Sequence, residues 1–102
     1  LKGFPKTLEE SVRMLETNAI WAGRTVGLGA LSAQEAVNAG LSGPMLRASG
    51  VAYDVRKDFP YLDYETYDFD VPVGTQGDVY DRFLVRVEEM RQSVRILEQA
   101  VQ

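Results

Sequence analysis

The sequence predicts a mainly α-helical fold with a long C-terminal helix and at most one short strand. Three observations carry this expectation. Tyr80, Phe83, Val87, Met90, Val94, Leu97 and Val101 recur at alternating spacings of three and four, the heptad seam of a long helix. Two capping boxes, Thr7 with Glu10 and Ser32 with Glu35, mark helix starts. Only the stretch from Tyr67 to Val71 alternates with the period of two that a strand needs, and Pro72 confines it to an edge position.

Taken in order, Leu1 to Lys6 holds Gly3 and Pro5 and reads as an irregular entry. From Thr7, the cap, Leu8, Val12, Leu15 and Ala19 follow as one apolar stripe, and this helix is expected to end between Asn18 and Trp21. Gly27-Leu28-Gly29 has the outline of a phosphate loop. Ser32, however, stands where the third glycine of G-x-G-x-x-G belongs, no convincing strand precedes, and no G-K-[ST] follows, so a nucleotide site is not expected. Ser32 caps a short helix from Ala33 to Ala39, and Gly40 stops it. Gly43-Pro44 opens another, since proline is tolerated in the first helical turn. Met45, Leu46 and Ala48 face inward there, and Gly50 ends it. Asp54 to Asp58 is a charged turn or single helical turn, ended by Pro60.

The stretch from Tyr61 to Tyr67 is rich in aromatics and acids. A lone strand over 67–71 is not stable by itself. It either pairs with a segment outside this chain or lies as an extended arm on helices. After the turn from Gly74 to Gly77, Asp78 is the expected N-cap, and Asp81 adds negative charge to the first turn, where the helix dipole favours it. The last helix then runs from Val79 to the end, with Arg82, Arg86, Glu88, Arg91, Arg95 and Glu98 on its other faces.

Composition narrows the chemistry. The 102 residues suffice for one small domain, and residues 1–102 read as a single fragment or domain of a larger subunit. The chain opens at Leu1 without an initiator Met and ends with helical periodicity still running. A net charge of -4 argues against nucleic acid as a partner. No signal peptide is legible, and no apolar run approaches the ~20 residues that span a bilayer. With no cysteine and no histidine, this chain cannot supply thiolate or imidazole ligands to zinc, ligate an iron–sulfur cluster, or run Cys/His or Ser/His nucleophilic chemistry.

Four blocks carry a resemblance. They are Asn18-Ala19-Ile20-Trp21 with Arg24-Thr25; Gly43-Pro44-Met45-Leu46-Arg47-Ala48-Ser49-Gly50 with Asp54-Val55-Arg56-Lys57 and Pro60-Tyr61; Phe69-Asp70-Val71-Pro72-Val73-Gly74 with Gly77-Asp78-Val79-Tyr80-Asp81-Arg82; and Glu88-Glu89-Met90-Arg91-Gln92-Ser93. In order and over essentially the whole chain, they resemble an internal piece of the quinone-site subunit of NADH:quinone oxidoreductase, respiratory complex I. That family is similar in fold to the large subunit of nickel–iron hydrogenases, without the nickel ligands. The resemblance implies an oxidoreductase that couples electron transfer from NADH to quinone with proton translocation. It implies quinone as a ligand, with NADH and iron–sulfur clusters on other subunits and no cofactor bound by this chain. The implied partners are the other complex I subunits, above all the one carrying the terminal iron–sulfur cluster. The implied location is peripheral, through the assembled complex, on the cytoplasmic side of the cell inner membrane or the mitochondrial matrix side. The family's quinone-headgroup His and Tyr belong to an earlier part of the subunit, so this piece is expected to be scaffold and inactive alone. The alternatives are a membrane-bound nickel–iron hydrogenase large subunit and a non-catalytic helical interaction domain.

No catalytic or metal-binding residue is assigned. Six residues are candidates for interface or tuning roles: Arg47, Arg56, Lys57, Asp78, Asp81 and Arg82. Arg47, in its Gly-bounded segment, would either face the cluster-bearing partner or form a structural salt bridge; the second is the simpler expectation, although an Arg47→Ala change is expected to leave the fragment's melting temperature almost unaltered. Arg56 and Lys57 would contact a neighbouring subunit or sit on a solvated turn. Asp78 and Arg82, at i,i+4 spacing, suggest an ion pair beside Asp81 more readily than a proton relay. Asp68 and Asp70 share a face with no cationic partner implied. Tyr53, Tyr61, Tyr64, Tyr67 and Trp21 read as half-buried packing before they read as a quinone path. The seam of the last helix is longer than the first helix can cover, so self-association as a homodimer along it is expected, with Val87 and Val94 as its central positions.

Overall fold

In the computed structural model, which describes residues 1–102, six α-helices and one 3-10 turn are laid out as a slab of 42 × 35 × 14 Å. The helices are α1 (Phe4–Glu16), α2 (Ala19–Gly23), α3 (Ala33–Asn38), α4 (Gly43–Ala48), α5 (Val55–Asp58) and α6 (Val79–Ala100), with the 3-10 turn at Tyr64–Thr66. There is no strand. The fold class matches the expectation of a mainly helical chain with one long final helix.

Helix α1 begins a turn earlier than the capping box suggested. Pro5 sits in its first turn, where a missing N–H costs nothing. The Thr7 hydroxyl therefore does not cap; it donates back to the Gly3 carbonyl at 3.2 Å. The helix also ends sooner. Asn18 adopts an extended conformation, and its side chain accepts from the Ile20 and Trp21 N–H groups, so it starts α2 instead of closing α1. Ala19 thereby leaves the α1 stripe. Helix α3 is as expected: Ser32 and Glu35 complete a reciprocal capping box, and Gly40 follows at φ +69°.

The segment 67–73 is an extended arm laid on α6. Gln99 accepts from the Asp68 N–H and donates to the Asp68 carbonyl, each at 2.8 Å, and Gln92 accepts from the Asp70 N–H at 3.0 Å. Helix side chains thus take the place of a neighbouring strand. Phe69 is fully buried between arm and body.

Helix α6 packs against both α4 and α1, and α3 packs on α4. Val85 and Val87 are both buried. Two positions apart, they lie about 200° apart around the axis, so the helix is covered on two faces rather than along one seam. The seam itself is unevenly covered. Val87 is buried, while Met90 and Leu97 are nearly half exposed and Val101 more so.

One junction ties the pieces together. The strap 74–78 runs between the C-terminal end of α4 and the loop 25–31. Gly74 N–H donates to the Arg47 carbonyl at 2.9 Å, and Gly77 N–H donates to the Ala48 carbonyl at 3.1 Å. On the other side, Leu31 N–H donates to the Gly77 carbonyl, Val79 N–H to Leu28, and Tyr80 N–H to Thr25, at 3.0 to 3.2 Å. A Cβ on Gly77 would lie 2.1 Å from the Leu31 carbonyl oxygen, and one on Gly74 would lie 2.6 Å from that of Ala48. Gly77 also has φ +65°.

Gly77→Ala is therefore expected to cost about 3 kcal/mol or more, from left-handed strain plus a backbone clash. Gly40→Ala, at a similar φ in open space, is expected to cost about 1 kcal/mol. Urea denaturation of both variants checks the difference.

Candidate functional site: the Arg47–Glu89 clamp and the start of α6

Arg47 projects from α4 and is 8% exposed. Its Nε donates to Glu89 Oε1 at 2.6 Å, and Nη1 donates to the Tyr53 carbonyl at 2.9 Å. Glu89 lies midway along α6, so the pair locks the two helices in register. The Arg47 and Glu89 side chains retain 9% and 18% of their exposure. Nε, Nη1 and Nη2 of the guanidinium are each engaged, two with the Glu89 carboxylate and one with the Tyr53 carbonyl.

Arg56 lies next to this clamp. It grips Asp54 through two bonds, Nε to Oδ1 at 3.0 Å and Nη2 to Oδ2 at 2.6 Å. Asp54 also caps α5 by accepting from the Arg56 N–H. The Arg56 guanidinium holds the Asp54 carboxyl below the usual carboxylate range, outweighing burial. Asp54 in turn raises Arg56. Both the Arg56 guanidinium and the Lys57 ammonium lie 4.7 Å from the Phe69 ring centre, a cation–π contact that ties α5 to the arm. Ser42, Arg47, Tyr53, Asp54, Arg56 and Glu89 line part of an open polar cleft of about 580 Å³.

Asp78, Asp81 and Arg82 gather at the junction. Asp78 Oδ1 caps α6 by accepting from the Asp81 N–H, and Oδ2 accepts from the Gly27 N–H, both at 2.7 Å. Burial opposes ionisation of Asp78, but these two backbone donors prevail and place its carboxyl below the ordinary range. Asp81 Oδ2 accepts from the Thr75 and Gln76 N–H groups. Arg82 forms no direct ion pair with Asp78, contrary to the i,i+4 expectation. Its Nη1 donates to the Gly77 carbonyl at 2.7 Å and its Nη2 to the Gly29 carbonyl at 3.0 Å. Arg82 thus bridges the strap and the loop 25–31, while the Asp78 carboxylate is occupied by two backbone N–H groups. The Gly27–Gly29 loop meets the N-terminus of α6 through its own backbone and the Asp78 carboxylate, the position a phosphate would take in a phosphate loop.

Arg95, to which the sequence assigned no role, bridges Asp68 at 2.8 Å and Asp70 at 3.0 Å. The paired acids for which spacing implied no cationic partner are thus clamped to α6. Gln92, Arg95 and Gln99, at spacings of three and four beside the apolar seam, are the residues that sequence reasoning missed. A polar stripe on a helix, opposite a strand-like segment with no strand partner, was the available signal. Trp21 meets Phe83 edge-on, and its indole N–H is buried without a partner. Tyr61, Tyr64 and Tyr67 pack in succession, the first pair tilted and the second edge-on, with Tyr61 exposed and Tyr64 and Tyr67 half-buried.

A sequence model of the respiratory-chain NADH dehydrogenase 49 Kd subunit family matches residues 1–102. The chain belongs to this family. The curated relatives include the D subunit of the NADH-quinone oxidoreductase of Burkholderia vietnamiensis, 57% identical over 99 residues. That of Coxiella burnetii is 54% identical over 99 residues. In both cases the match covers 97% of this chain and 24% of the relative, so the chain spans about a quarter of the length of the curated relatives it matches. The family match supports the hydrogenase-large-subunit-like fold class expected from the resemblance. No helix is long and apolar enough to cross a membrane.

Two outcomes are expected from this geometry. Removing one member of the clamp strands the other, so Arg47→Ala and Glu89→Ala should each cost about 3 kcal/mol, while the double change to leucine should recover most of it; thermal and urea unfolding read this. The near-unchanged melting temperature anticipated for Arg47→Ala from sequence is revised accordingly. Asp54 and Asp78 have lowered folded-state pKa values, so they stabilise the fold while ionised. That contribution is complete above their ordinary value of 3.8 and is lost as pH falls through the lower folded values. Stability should therefore be flat from about pH 7 to about pH 5 and fall below about pH 4. Asp78→Asn should lower the plateau and shrink the acid loss, measured by melting across that range.

Proposed function

We propose that this chain is the scaffold portion of the quinone-site subunit of an NADH:quinone oxidoreductase. It supports the module in which electron transfer from NADH to quinone is coupled to proton translocation. Quinone, NADH and the iron–sulfur clusters are held elsewhere in the assembly, and this chain alone turns over neither NADH nor quinone. Its partners are the other subunits of the complex, above all the one bearing the terminal iron–sulfur cluster. It lies peripherally on the cytoplasmic side of the cell inner membrane, or the matrix side in a mitochondrion.

The observation that carries this reading is the 57% identity sustained over 99 residues to the D subunit of an NADH-quinone oxidoreductase. Its scaffold character is supported by where the matching blocks meet. Gly43–Gly50, Phe69–Arg82 and Glu88–Ser93, separate in sequence, converge on the Arg47–Glu89 clamp and the glycine strap. The relatives' names favour the quinone enzyme over a nickel–iron hydrogenase or an unrelated interaction domain. Arg47, Arg56, Lys57, Asp78, Asp81 and Arg82 act in it by holding elements in place, and none touches substrate.

In the full-length subunit, Arg47→Ala is expected to lower the amount of assembled complex and the NADH:quinone reductase activity of the membranes together, leaving activity per assembled complex near wild type. Normal assembly with lost activity would instead make Arg47 a tuning residue. Alone, the chain is expected to pair with a second copy through Met90, Leu97 and Val101, the exposed end of the seam. Light scattering over a dilution series reads this, with Leu97→Glu as the disrupting variant; Val87 is buried within the chain and is unsuited to the test.

A further inference from the structure

We draw no further inference here: the strongest candidate, the open polar cleft between α4, α5 and the middle of α6, belongs to the site already described, where Glu89, the Tyr53 carbonyl and Arg56 satisfy its buried Arg47 and Asp54, and nothing in the structure shows what fills it.

Discussion

The backbone strap from Gly74 to Asp78 is the constraint on which the rest of this chain depends. It passes between the carbonyl end of α4 and the loop 25–31, exchanging main-chain bonds with both. The approach is so close that neither Gly74 nor Gly77 has room for a Cβ. The strap also starts α6. The first N–H groups of that helix go to Leu28, Thr25 and the Asp78 carboxylate, so its N-terminus is satisfied by the chain itself. Loop, strap, α4 and α6 therefore form one cooperative unit, and Arg47–Glu89 extends the lock to the middle of α6.

What surrounds that unit is thin. The radius of gyration is 15.0 Å, against about 13 Å for a compact chain of this length. The accessible surface is 6697 Å², against about 5,800 Å² for a monomer of this mass. The excess is close to the ~800 Å² that one partner contributes to a standard interface. Met90, Leu97 and Val101 on α6, with Phe59 and Leu62, contribute large apolar side chains to this surface. Polar side chains are consumed in holding elements to one another, and several large apolar ones are left exposed.

Local chemistry was legible in the sequence, and long-range pairing was not. The Ser32–Glu35 box, the Asp78 cap and the extent of α6 follow from rules that act within one turn. Thr7 and Asn18 show where such rules compete: proline's fixed φ moved the start of α1 upstream, and asparagine's preference for capping split what looked like one helix. The Tyr67–Val71 alternation was genuine, but its partners are Gln92, Arg95 and Gln99 on a helix, which no strand-pairing rule anticipates. Of the site candidates, Arg47 and Asp78 could be singled out because they lie in family-like blocks. Glu89 and Gly27, which hold them, come from distant sequence and became visible only in space, as did the Tyr53 carbonyl six residues beyond Arg47. Arg82 found carbonyls where an ion pair was expected, because the fold brings the Gly29 and Gly77 carbonyls, far apart in sequence, to the start of α6.

Hydrogen exchange at the junction tests this account most directly. If the strap is the unit on which folding depends, the amides of Gly27, Leu31, Gly74 and Gly77 should exchange only through global unfolding. Their protection would then match that of the α6 interior around Val87, and all should lose it together as denaturant is added. Junction amides that exchange much faster than Val87, with α6 still protected, would show that the helix stands without the strap and would contradict the account.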